Sequence, residues 1–193
     1  MITFMYKKIC VTNRHLVNGD YFEQIRHIMT CNNKADYLIV REKDLSPLEY
    51  EDILKGIISL DINRDCIIAH NFIDVARNLN VNKIHLPFNK FIENGGKKGN
   101  LRDFRAVGTS VHSLDDCMKA QELGVDYLIA GHIFTTDCKK GLEPRGVSFL
   151  QEICANSTVP VFAIGGIDFN NAKECINAGA SGVCLMSAYM RLN

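Results

Sequence analysis

The sequence predicts an α/β fold, a single (β/α)8 TIM barrel with a short C-terminal helix, on three observations. Short apolar, β-branched runs recur eight times, they show little polar alternation, and the segments between them mostly carry helical spacing. Runs without alternation read as strands buried on both faces of a parallel sheet. Strand and helix repeated in turn give parallel neighbours joined by right-handed crossovers, and eight such units without a second domain favour closure over an open doubly wound sheet.

In chain order the expected strands are Lys8–Thr12, Tyr37–Val40, Cys66–Ala69, Lys83–Leu86, Ala106–Ser110, Tyr127–Ala130, Val159–Ile164 and Gly182–Met186. After the second, Ser46-Pro47 starts a helix and Leu48, Ile53 and Ile57 recur at helical spacing. After the fourth, the Gly95-Gly96-Lys97-Lys98-Gly99 loop leaves room for a stub of helix only. After the fifth, Ser113 caps a helix whose spaced apolar residues are Leu114, Cys117, Met118 and Leu123. The chain ends soon after Ser187, so the eighth helix must be short.

At 193 residues the chain fits one domain, residues 1–193, with no linker-like stretch inside it. Twenty-two basic residues balance twenty-two acidic ones, so no global field draws nucleic acid or an anionic membrane, and neither is an expected partner. The N-terminus lacks a signal-like apolar core and no apolar run is long enough to span a bilayer; the expected location is the cytoplasm. The eight cysteines are scattered without a C-x-x-C pair or clustered histidines, which reads as reduced thiols and no metal. An exposed apolar barrel face would favour a homodimer.

In such barrels the active site gathers at the C-terminal ends of the strands. Gly165-Gly166 follows the apolar run Val161–Ile164, where glycine lets backbone N–H groups turn toward an anion. Ser187, after the next strand, opens a short helix whose free N–H groups also attract phosphate. These turns follow the seventh and eighth strands, the usual phosphate site of this fold. Arg41 and Lys43, two apart at the end of the second strand, can face the mouth together and bind a second anionic group; the alternative is a charged loop paired through Glu42 or Asp44. His112, at the end of the fifth strand, is the best acid/base candidate, ahead of His70, His85 and His132.

Thr12, Arg41-Glu42-Lys43, His85-Leu86, Ser110-Val111-His112-Ser113, Ala163-Ile164-Gly165-Gly166-Ile167 and Met186-Ser187-Ala188 stand where the thiamine phosphate synthase superfamily has similar words. Within it, the stretch from Gly131 to Glu143 with Arg145-Gly146-Val147-Ser148 closely resembles the TenI branch, the thiazole tautomerases. In the synthase branch, aspartates after the third and fourth strands hold magnesium. The matching positions here are Asn71 and the neighbourhood of Lys90, and magnesium prefers carboxylate oxygen. A glutamine two residues before the arginine is Ile39 here, and a threonine before the sixth-loop lysine is Cys138.

The resemblance implies a thiazole tautomerase that needs no cofactor and acts on a phosphorylated carboxythiazole, the product of thiazole synthase. It implies His112 as proton shuttle, with Ser110 in the pocket, phosphate on Gly165, Gly166 and Ser187, and Thr136 and Lys139 closing over it. Arg41 and Lys43 are its candidates for the carboxylate. The synthase branch also often carries a histidine at the position of His112, so that residue does not separate the branches. A magnesium-dependent thiamine phosphate synthase and a non-catalytic regulatory barrel are the alternatives.

Overall fold

A computed structural model describes residues 6–136, 139 and 141–192. Eight strands, β1 (Lys7–Val11), β2 (Tyr37–Val40), β3 (Ile67–His70), β4 (Lys83–Leu86), β5 (Ala106–Val111), β6 (Tyr127–Gly131), β7 (Val161–Ile164) and β8 (Gly182–Leu185), close into a barrel in sequence order. Every pair is parallel, and β1 against β8 completes the ring through Lys7–Cys10 and Gly182–Leu185.

Helices α1 (Tyr21–Thr30), α2 (Pro47–Ile58), α3 (Ile73–Asn78), α4 (Phe88–Glu93), α5 (Leu114–Glu122), α6 (Gly146–Asn156), α7 (Ala172–Asn177) and α8 (Ser187–Met190) follow the strands in turn. Local chemistry starts several of them. Asp20 caps α1 through the Glu23 N–H, Ser46 and Glu49 form a reciprocal capping box before Pro47, and Ser113 caps α5 through the Asp116 N–H. The stub of helix expected after the fourth strand is α4, and the short last helix is α8.

Two apolar layers hold the barrel. The outer layer joins the helices to the outward strand faces, as in Tyr50, Leu54 and Ile57 of α2 beside Leu38 and Val40. The inner layer fills the barrel with Ile9, Val11, Ile39, Ile68, Tyr127, Ile129, Phe162 and Cys184. Gly108 is needed there: a Cβ would lie 2.1 Å from Cζ of Tyr127, whose ring occupies the space a β5 side chain would take.

Strand and helix details differ from expectation for local reasons. Pro160 has no N–H to give the ladder, so β7 begins at Val161 and not Val159. Cys66 ends a 3₁₀ turn capped by Asn63, and β3 starts one residue later. The core stripe of α2 is Tyr50–Leu54–Ile57, while Leu48, in the first turn, is 75% exposed. In α5, Cys117 and Ala120 face the core and Met118 is exposed. The seven described cysteines are free thiols, and Cys138 lies outside the described residues.

Candidate active site

A cavity of about 430 Å³ opens at the C-terminal ends of the strands. Its walls include Arg41, Lys43, Ser110, His112, Thr136, Lys139, Gly165, Gly166 and Ser187, so the side chains and turns expected to meet do so. The sixth-loop residues Asp137, Cys138 and Lys140 lie outside the described residues.

The glycine turn is built by contact from the neighbouring loop. Gly165 has φ +103° and Gly166 φ +66°, conformations that glycine accepts and a Cβ resists. A Cβ on Gly165 would lie 2.3 Å from the Cβ of His132, and one on Gly166 2.4 Å from the Thr135 carbonyl oxygen. The loop after β6 comes this close because the Ile133 N–H donates to Ile164 O and the Phe134 N–H to Gly165 O, both at 2.9 Å. Asn171 Nδ2 donates to Gly166 O at 2.8 Å and holds the turn from the other side. Among the described residues, no backbone carbonyl takes the Gly165 or Gly166 N–H, which suits an anion.

Across the ring from β6, Arg41 and Lys43 follow β2. The backbone there is fixed by the Thr12 hydroxyl, which accepts the Arg41 N–H at 2.9 Å and donates to Glu42 Oε1 at 2.8 Å. The two neighbouring acids each meet groups from the loop after β1. Glu42, buried, also accepts from Tyr21 Oη and the Arg14 backbone and guanidinium, and Asp44 takes both Arg14 amino groups. Sequence reading missed Arg14 because it lies 28 residues from Glu42.

His112 is half-buried at the end of β5. Its backbone N–H donates to Asp116 Oδ2 at 2.8 Å, so the first turn of α5 anchors it. Its Nδ1 lies 2.6 Å from the Gly131 carbonyl oxygen. A carbonyl only accepts, so Nδ1 carries the proton and the neutral ring keeps its lone pair on Nε2. Burial lowers the pKa of His112, helped by the positive charges of Lys139 and Arg145 and opposed by Gly131 O and Asp116. The ring is therefore neutral near pH 7, the form a general base needs.

The weaker histidine candidates separate by depth. His70 and His132 line the cavity, whereas His85 lies beneath it and reaches Ser110 Oγ through Nε2 at 2.9 Å. Sequence reading also passed over Pro87, Phe88 and Asn89, which form one wall just beyond β4. The rule that strand ends build the mouth would have found them.

After β3 and β4, where magnesium carboxylates would be required, Lys90 Nζ donates to the Asn71 carbonyl at 2.7 Å and to Asn71 Oδ1 at 3.2 Å. Asn71 holds a left-handed conformation, φ +68°, which asparagine tolerates and which presents both oxygens to one donor. An ammonium seated on a neutral amide is no site for a dication, so magnesium does not fit this pair. Among the described residues, no three His, Cys, Asp or Glu side chains gather as metal ligands.

The sequence profile of the thiamine monophosphate synthase family (TMP-TENI) matches residues 9–189. The chain belongs to this family. Thiamine-phosphate synthase of Clostridium novyi is 28% identical over 193 residues, covering 96% of this chain and 91% of its own. That of Clostridium tetani is 31% identical over 181 residues, covering 93% and 86%. Among solved structures, thiamine phosphate pyrophosphorylase from Pyrococcus furiosus superposes with TM-score 0.76 at 26% identity, covering 96% of this chain and 87% of that one. Membership of the thiamine monophosphate synthase family makes this an enzyme fold of thiamine biosynthesis that handles phosphorylated small molecules. No described helix is long and apolar enough to cross a membrane.

Proposed function

We propose that this member of the family is a thiazole tautomerase, converting the carboxythiazole phosphate made by thiazole synthase to its aromatic isomer without a metal. The observation that carries this reading is the Lys90 ammonium on Asn71, at the positions where the synthase branch holds magnesium with carboxylates. A diphosphate leaving group needs its charge neutralised by the metal. An allylic proton shift does not.

In this reading the Gly165-Gly166 turn and the Ser187 hydroxyl hold the phosphate while Arg41 and Lys43 face the carboxylate. Nε2 of His112 accepts the proton from the ring carbon bearing the carboxylate. The double bonds shift, and the imidazolium returns the proton to the exocyclic carbon, so no atom is gained or lost. Gly131 O, already on Nδ1–H, stabilises the imidazolium between the two transfers. Such a base contributes roughly 10²- to 10⁴-fold. Aromaticity drives the step.

The names of the curated relatives favour a second reading, thiamine-phosphate synthase. One experiment separates the two. Purified protein is mixed with thiazole synthase product and the aromatic chromophore followed with and without EDTA, alongside an assay joining hydroxymethylpyrimidine diphosphate to thiazole phosphate with magnesium. The proposal expects chelator-indifferent aromatisation and no coupling. Aromatisation at only the spontaneous rate, or magnesium-dependent coupling, would overturn it. A regulatory barrel that merely binds would aromatise no faster after wild-type protein is added than after His112→Ala.

A further inference from the structure

Beneath the cavity floor, His85 of β4 is buried, with Nε2 2.9 Å from the Ser110 hydroxyl and Nδ1 without a hydrogen-bond partner among the described residues. Its flanking rings, His70 at 6.0 Å and Tyr127 at 5.6 Å between centroids, pack against it and offer Nδ1 nothing. The Tyr127 hydroxyl is itself buried and has no hydrogen-bond partner among the described residues. Burial, with the charge of Arg41 nearby, pushes the His85 pKa down to about 3, so the ring is neutral and carries a single N–H.

That proton has two places to be. On Nδ1 it would be a donor stranded in an apolar interior, and orphaned buried N–H groups are rarer than orphaned acceptors. On Nε2 it is spent on Ser110 Oγ. The serine hydroxyl, having accepted, retains its own O–H to give, and Ser110 lines the cavity. We propose that His85 is a positioning residue that commits Ser110 to donate into the cavity, and that the group it meets there is a carboxylate oxygen of the ligand. Arg41 lines the same cavity as Ser110, and its positive charge favours an anionic acceptor over a neutral one. The ligand's identity rests on the functional reading above; the serine's polarity does not.

Two measurements test it. The ¹⁵N spectrum of His85 in the ligand-free protein distinguishes a protonated from a bare ring nitrogen, and the expected result is Nε2 protonated and Nδ1 bare. Calorimetric Kd values for carboxythiazole phosphate and for the thiazole phosphate lacking the carboxylate are then compared across Ser110→Ala, His85→Leu, His85→Gln and the Ser110→Ala/His85→Leu double variant. A hydrogen bond to a charged acceptor predicts a loss of roughly tenfold or more for Ser110→Ala with the carboxylated ligand only. His85→Leu should lose a similar factor, the double variant no more than Ser110→Ala alone, and His85→Gln, whose amide can still donate, should restore most of it. A protonated Nδ1, losses that multiply in the double variant, or equal losses with both ligands would overturn the inference. If wild-type protein binds neither thiazole phosphate, the functional reading falls and takes the carboxylate acceptor with it, whatever the ring spectrum shows.

Discussion

His112 combines two features that set its chemistry: a carbonyl on Nδ1 fixes the tautomer, and partial burial lowers the pKa. A base of this kind works while neutral, so the rate is constant at high pH and falls as pH drops through the folded pKa. Because that value lies below the ordinary 6.5, the midpoint of the acid limb of kcat/KM should fall below pH 6.5. A pH–rate profile with that midpoint at or above 6.5 would contradict this. His112→Asn should lower kcat roughly 10²- to 10⁴-fold while leaving product affinity nearly unchanged, measured by turnover and calorimetry. Loss of affinity with kcat retained would instead make the histidine a binding group.

Among elements, the turn after β7 is closely constrained by the loop after β6. Gly166→Ala puts a methyl 2.4 Å from the Thr135 carbonyl in a left-handed conformation, and backbone atoms cannot swing aside as a flexible side chain would. The expected cost is about 1–3 kcal/mol of stability, read from the denaturant midpoint, with phosphate affinity lost as the turn opens. At the start of α2, Ser46→Ala removes the hydroxyl half of the capping box and leaves Glu49 on the backbone N–H of residue 46, at about 1 kcal/mol, and should leave ligand affinity alone. Equal damage to binding from both variants would mean that the turn has no special part in holding the anion.

Elements were legible from the sequence wherever one residue type answers to one local force. Ser46, Pro47 and Ser113 announced helix starts, and the unbroken apolar runs announced strands that the barrel buries on both faces. The alignment of apolar positions on α2 and α5 was less legible. Leu48 and Met118 fall at helical spacing yet face solvent, because Tyr50 and Ala120 take the core positions nearest them. The site residues were visible because they stand at strand ends. Their fixings were not: Glu42 finds Thr12, Tyr21 and Arg14 across the β1–β2 gap, and His85 finds Ser110 on the next strand. Contacts between residues this far apart in the chain exist only once the barrel has closed.

For the molecule as a whole, the buried histidines tie stability to pH. His85 and His70 both have pKa values lowered chiefly by burial, with the neighbouring Arg41 charge adding to each. Unfolded histidine takes up its proton near pH 6.5, the folded ring only well below that, so the unfolded chain binds more protons in between. Stability is therefore full above about pH 6.5 and declines below it, by about 1.4 kcal/mol per pH unit for each such histidine, continuing for His85 toward pH 3. Denaturation series between pH 7.5 and 4.5 should show this slope, and His85→Gln should make it shallower. An unchanged slope in that variant would place the acid sensitivity elsewhere.

The Lys90 ammonium on Asn71 also has a meaning for how such a barrel could move between chemistries. Asn71→Asp alone would hand the new carboxylate to Lys90 as an ion pair, 3.2 Å from where the amide oxygen stands, and leave nothing for a dication. Lys90→Asp alone would supply one acid beside a neutral amide. Neither single step gains a metal site, so the two positions must change together, and the loops after β3 and β4 behave as one two-letter switch whose mixed settings are both silent.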